Sequence, residues 1–185
     1  LADTLNAAVQ GVTLRQSTNG SIQNAINAVG TTGLTGAKLT LGTGTFNQCF
    51  AVDQSNFTVT GQGQGVTIIK PGSLEGATGV KNGTPWGGQV YLPVVLAKNG
   101  DLINFSNFTV DVSSLGGSVA AVAYQNAGGF ITDVTTKGGT FGLYAVSDST
   151  QGHGEHTILA TNVNASGANW AAGAFIGDKL SMHTI

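Results

Sequence analysis

A four-residue word returns along this chain at intervals that leave few folds open. Ser55-Asn56-Phe57-Thr58 is followed by Ser106-Asn107-Phe108-Thr109, Thr132-Asp133-Val134-Thr135 and Thr161-Asn162-Val163-Asn164. The last two steps are 26 and 29 residues. The first, 51 residues, is about two such steps, which predicts an intervening repeat with a degenerate word or an insertion. A second word agrees: His156-Thr157-Ile158 returns as His183-Thr184-Ile185. One unit of this length cannot bury an apolar face alone, whereas stacked units form parallel sheets over a continuous core. Alternate residues then point inward, which suits Phe, Val and Ile. The recurrent Asn and Asp suit bends, where they tolerate left-handed backbone. A β-sandwich with coincidental words is the competing reading.

Local patterns agree with short strands. Lys38 to Leu41, Phe57 to Thr60 and Val66 to Ile69 are β-branched or aromatic runs between Gly, Asn and Gln. One segment has helical spacing: Ile22, Ala25, Ile26 and Val29 form a stripe after the N-cap Ser21 and before Gly30. Composition fits stacked strands and little else. Charged residues are 9% of the chain and 29 of 185 residues are Gly, so helical bundles and charge-driven disorder are excluded. Seven Lys+Arg against nine Asp+Glu leave no basic surface for nucleic acid. The long uncharged stretches are too polar for a membrane span.

The N-terminal half is similar to a known pattern. Ser21 to Ile26, Leu39 to Leu41, Gly44 to Phe46 and Val59 to Ile69 resemble the opening coils of the pectin-lyase-like superfamily. The resemblance implies an all-β fold, a right-handed parallel β-helix (solenoid) with a short N-terminal capping helix. It implies little of function, because that superfamily holds lyases, hydrolases, esterases, epimerases, tailspikes and adhesins. The expected organisation is an N-terminal segment or arm over 1–20 and a β-helix domain over 21–185. A long loop leaves the domain at 71–93, and no C-terminal cap follows Thr184-Ile185. The chain is therefore read either as a fragment or as having an open end that stacks on another subunit.

The chemistry is sparse. The polygalacturonase branch uses an adjacent Asp pair, a Gly-His-Gly and an Arg-Ile-Lys. Only Gly152-His153-Gly154 is present. Arg15, the sole arginine, lies before the helix, so the arginine base of the lyases and the Arg-supported Asp pair of the methylesterases are also lacking. The densest polar cluster is Asp148, His153, Glu155 and His156. Asp148, His153 and Glu155 are the candidate catalytic residues, and His153 and His156 the candidate metal ligands, against the plainer reading of a polar loop. No cofactor is implied. Trp86 and Tyr91 in the long loop are candidate contacts for a sugar or a partner, as in a fibre that binds carbohydrate. Cys49 is read as a core residue, with no disulfide partner.

Six sequons, at Asn19, Asn56, Asn82, Asn104, Asn107 and Asn164, are candidate glycosylation positions and favour a secreted or cell-surface protein. These absences favour a non-catalytic structural or adhesive protein. It would assemble with itself, head to tail or by strand exchange, into a filament, sheath or surface layer, or would contact glycans. The alternative is a polysaccharide-active enzyme, a pectate-lyase-like lyase or a glycoside hydrolase, or a fragment of one.

Overall fold

The computed structural model describes residues 6–8, 11–13, 21–30, 35–75, 77, 79–81, 89–147, 155–177 and 180–184. The chain starts with a short antiparallel pair, β1 (Asn6–Ala8) and β2 (Gly11–Thr13), then the helix α1 (Ile22–Gly30). Short strands follow: β3 (Ala37–Thr40), β4 (Gly44–Phe46), β5 (Phe50–Val52), β6 (Phe57–Thr60), β7 (Thr67–Ile69) and β8 (Val80–Lys81). Longer strands complete the chain: β9 (Val90–Lys98), β10 (Ile103–Asp111), β11 (Val119–Gln125), β12 (Gly129–Lys137), β13 (Phe141–Ser147), β14 (His156–Ser166), β15 (Ala171–Gly177) and β16 (Leu180–Thr184).

These strands form two large parallel sheets. One has eight strands, with β16, β14, β12, β10, β6 and β3 in line and β4 and β7 completing its other arm. The other is six-stranded: β15, β13, β11, β9 and β5 in line, with β8 antiparallel on β9. From β9 to β16 the chain alternates between them.

The fold-class expectation is corrected by this arrangement. The described residues form two mainly parallel sheets with one short helix, an α/β-like pattern of pairing, rather than the all-β right-handed solenoid expected. A repeat in sequence reports which residues stack in parallel register. It does not report handedness or closure, which the fold-class expectation added from resemblance.

The stacking itself is specific. Ser106 pairs with Thr132, and Thr132 with Thr161, so the last three words lie in register. Their second residues Asn107, Asp133 and Asn162 have φ of 59°, 53° and 51°. Each bends its strand at the same place, in the left-handed region that Asn and Asp tolerate. The first word is out of phase. Phe57 pairs with Ile103, not Phe108, and β6 lies directly beside β10. No rung intervenes in that sheet; the extra length is the excursion after β7 that returns at β9.

The helix covers one end of the core. Ser21 Oγ accepts from Asn24 N at 3.2 Å and Gln48 Oε1 from Ile22 N at 2.7 Å, so two of the free amides of the first turn are satisfied. Ile22, Ile26 and Val29 are buried. Gln23 behaves as an extra strand residue: its amide donates to Ala51 O at 3.0 Å and accepts from Ala51 N at 2.7 Å. The core between the sheets is aromatic at its centre, with Phe105 packed edge-on against Phe50, Phe108 and Tyr124. Among the described residues no helix is long and apolar enough to cross a membrane.

Candidate functional site

The site lies where the chain turns from the six-stranded to the eight-stranded sheet. Two of these turns begin alike, with Asn99 (φ 51°) after β9 and Asn126 (φ 48°) after β11. Asn99 N donates to Gln125 O and Asn126 N to Val146 O, both at 2.9 Å, so the turns are tied layer to layer.

The first turn carries a bulge. Gly128 N donates to Gly100 O at 2.9 Å and Gly128 O accepts from Ile103 N at 3.0 Å. Two residues, Asp101 and Leu102, are therefore set against one, which re-aims their side chains. Leu102 has φ 57° and is 47% exposed. An exposed leucine in left-handed backbone is strained, and such strain concentrates at functional positions.

The bulge turns the Asp101 carboxylate toward the neighbouring layers. Its Oδ1 lies 2.9 Å from Nδ1 of His156, the first residue of β14. The His156 side chain is 7% exposed and that of Asp101 64%. Gly128 lies between them, and a Cβ there would sit 3.1 Å from Asp101 Oδ1 and 2.8 Å from Thr157 O. Gly129 is equally confined: at φ 153° its Cβ would fall on Ile103 O. The two glycines keep this turn bare so that Asp101 can reach across it.

Asp101, Leu102, Gly128, Gly129, Phe130, Glu155, Thr157 and Leu159 line a cleft of about 470 Å³. Among the described residues it holds two carboxylates, an exposed phenyl ring and no basic side chain. The buried Tyr124 hydroxyl lies 3.2 Å from Ile103 O, next to the lining residue Leu102, and 3.3 Å from O of the lining residue Phe130, so its one proton is shared between two adjacent strands. Burial pushes its pKa far above the usual phenol range, and it acts only as a neutral donor.

The imidazole is defined by its surroundings. Its Nε2 is buried and has no partner among the described residues. A neutral ring with the proton on Nδ1 donates to Asp101 and leaves a lone pair at Nε2.

Of the sequence candidates, Glu155 lines this cleft and His156 backs it. Asp148 and His153 lie outside the described residues, as do Trp86, Asn19 and Asn82. Among the described residues no three His, Cys, Asp or Glu side chains are grouped to hold a metal ion. Tyr91 is 5% exposed and packs its ring 4.9 Å from both Phe141 and Tyr144. Asn104 Nδ2 donates to Thr58 Oγ1 and Asn107 Nδ2 to Thr60 Oγ1, so these sequon amides join layers together. Asn56 and Asn164 are exposed. Asp101 was missed by sequence reasoning. The available signal was Ala127-Gly128-Gly129, three small residues one repeat along from Gly100-Asp101 and one repeat before His156.

Neither family models nor curated proteins match the chain. Among solved structures it is similar to one described as a "putative glycosyl hydrolase" from Parabacteroides merdae ATCC 43184. The TM-score is 0.52 at 12% identity, over 93% of this chain and 97% of that one. At this identity the likeness bears on fold alone.

Proposed function

We infer that this is a polysaccharide-active protein that hydrolyses a glycosidic bond of an uncharged glycan in the Asp101–Glu155 cleft. The carrying observation is that two carboxylates from different layers share one open cleft, with a buried histidine behind one of them. Glycosidic hydrolysis needs a carboxylic acid to protonate the leaving oxygen and a carboxylate to activate water or attack carbon. Asp101, oriented by its contact with Nδ1 of His156, suits the second role. The first then falls to Glu155, the other carboxylate of the cleft. Phe130 offers a flat apolar wall to a sugar ring. The structure of similar fold is itself described as a "putative glycosyl hydrolase", the same class of chemistry.

The charge of the lining narrows the substrate. A polyuronate would bring carboxylates to two carboxylates with no Lys or Arg among the described lining residues to neutralise them. That speaks against a pectate-type lyase and for a neutral glycan. No feature of the described residues favours the non-catalytic assembly reading.

The test is incubation of the protein with hydroxyethyl cellulose, dextran, xylan and polygalacturonate, following new reducing ends and unsaturated products separately. Reducing ends from at least one neutral polymer, with no unsaturated product from polygalacturonate, are expected. No cleavage of any neutral polymer, or unsaturated ends from polygalacturonate, would overturn the reading.

A further inference from the structure

A second feature lies away from the cleft, where the chain turns back from the eight-stranded to the six-stranded sheet. Trp170, between β14 and β15, is 72% exposed. Its backbone is fixed to the layer beneath: Trp170 N donates to Thr140 O at 3.2 Å and Asn169 N to Gly139 O at 2.7 Å. Its ring leans on Phe141 at a centroid distance of 5.3 Å and 33° between planes. Phe141 in turn is stacked on Tyr144 at 5.1 Å and 17°. Both, with Tyr91, are buried. The indole is thus an exposed ring mounted on a rigid aromatic base.

We propose that Trp170 is the centre of a second binding site, a stacking platform for an uncharged glycan chain. A pyranose presents axial C–H groups on one face, and these pack favourably on an indole π surface. The surroundings favour a neutral ligand. The three stacked turns, 112–118, 138–140 and 167–170, and the strands after them, 119–125, 141–147 and 171–177, contain no Asp, Glu, Lys or Arg, and the Asp111 and Lys137 that precede the first two turns are paired in register with opposite charge. Hydroxyls and amides stand in their place: Ser118 Oγ lies 3.4 Å from Gln89 Nε2, and Thr140 Oγ1 donates to Gly117 O at 3.2 Å. A protein partner fits less well. The rings that carry Trp170 are all buried, so they offer a partner little beyond the indole itself, whereas a stable protein interface covers roughly 800 Å² on each side. A glycan needs no more than one ring per sugar.

This site does not depend on the cleft being hydrolytic, and the experiment separates the two. Native electrophoresis is run in gels containing hydroxyethyl cellulose, dextran or polygalacturonate, on wild type, Trp170→Ala and Trp170→Phe, so that binding is read apart from the release of reducing ends that reports the cleft. Wild type is expected to be retarded by a neutral polymer. Trp170→Ala should bind it about tenfold more weakly and Trp170→Phe within about threefold of wild type. Polygalacturonate should retard none of them. Equal retardation of Trp170→Ala and wild type, no retardation by either neutral polymer, or equal retardation by polygalacturonate would overturn the proposal. So would a wild-type protein that sediments as an oligomer which Trp170→Ala breaks, because the ring would then dock on a second copy.

Discussion

Nδ1 of His156 lies 2.9 Å from Oδ1 of Asp101, although the residues are 55 positions apart in sequence. Strands in a sheet are spaced by about 4.8 Å, so backbones two layers apart are about 10 Å from one another. The contact exists because Ala127-Gly128 lies between them and offers no side chain large enough to obstruct it. Replacing His156 by Ala removes a hydrogen bond to a charged group and opens a cavity behind the cleft. The expected loss is about 2–4 kcal/mol of unfolding free energy, read from urea denaturation. Unchanged stability would mean that the pair contributes nothing to the fold.

Gly128→Ala tests the same passage from the other side. The added methyl would press on Asp101 Oδ1 and on Thr157 O, and the second is backbone. Overpacking of this kind costs about 1–3 kcal/mol. Cleavage should fall with it, because Asp101 is displaced. A variant with wild-type melting and turnover would show that the turn has slack.

Tyr124→Phe removes the hydroxyl that supports Ile103 O and Phe130 O while keeping the ring. A net loss of about 1 kcal/mol is expected. Because Phe130 lines the cleft and Ile103 follows the lining residue Leu102, KM for the glycan should rise more than kcat falls. The opposite split would place the hydroxyl's effect on the chemical step.

Acid stability should show one distinct group. Partial burial pushes the Asp111 carboxyl up, but the Ser113 hydroxyl, the Lys70 ammonium at 2.9 Å and the Ser113 N–H outweigh it and hold the pKa at about 2. A folded-state pKa below the unfolded value means stability that is full above about pH 4 and is lost as pH falls toward about 2. Lys70→Ala should move the Asp111 midpoint up, followed by carboxyl NMR titration, and cost under about 1 kcal/mol at neutral pH. An unmoved midpoint would leave the pair without electrostatic effect.

Cys49 supplies a probe of the layer under the helix. Burial pushes its thiol up to about 11, against about 8.5 for a free cysteine. At pH 8 its alkylation by iodoacetamide should be at least a hundredfold slower in the native protein than in urea. Equal rates would place the thiol in water.

Legibility differed between the fold and the site, for a physical reason. The helix was readable because its cap and its buried stripe are local: Ser21, Ile22, Ile26 and Val29 lie within one short stretch. The three later words were readable because each supplies a left-handed Asn or Asp at the same bend, so a common backbone need left a common letter. The first word misled. Asn56 also has positive φ, but it stands before β6, at a different turn. The site was half legible. Glu155 and His156 stood out in a chain short of charge. Asp101 did not, because its link to His156 is made only by parallel stacking across two layers and leaves no motif. The fold class overreached, since register carries no information on handedness or closure.

The central claim is that Asp101 and Glu155 act together on one glycosidic bond. The direct measurement is release of reducing ends from the cleaved neutral polymer by wild type, Asp101→Asn and Glu155→Gln. Far-UV circular dichroism is taken on each to confirm folding. Each variant should lose at least about a hundredfold in kcat, as removal of a general acid or base does, while still binding the polymer. Two folded variants that cleave at the wild-type rate would contradict the account.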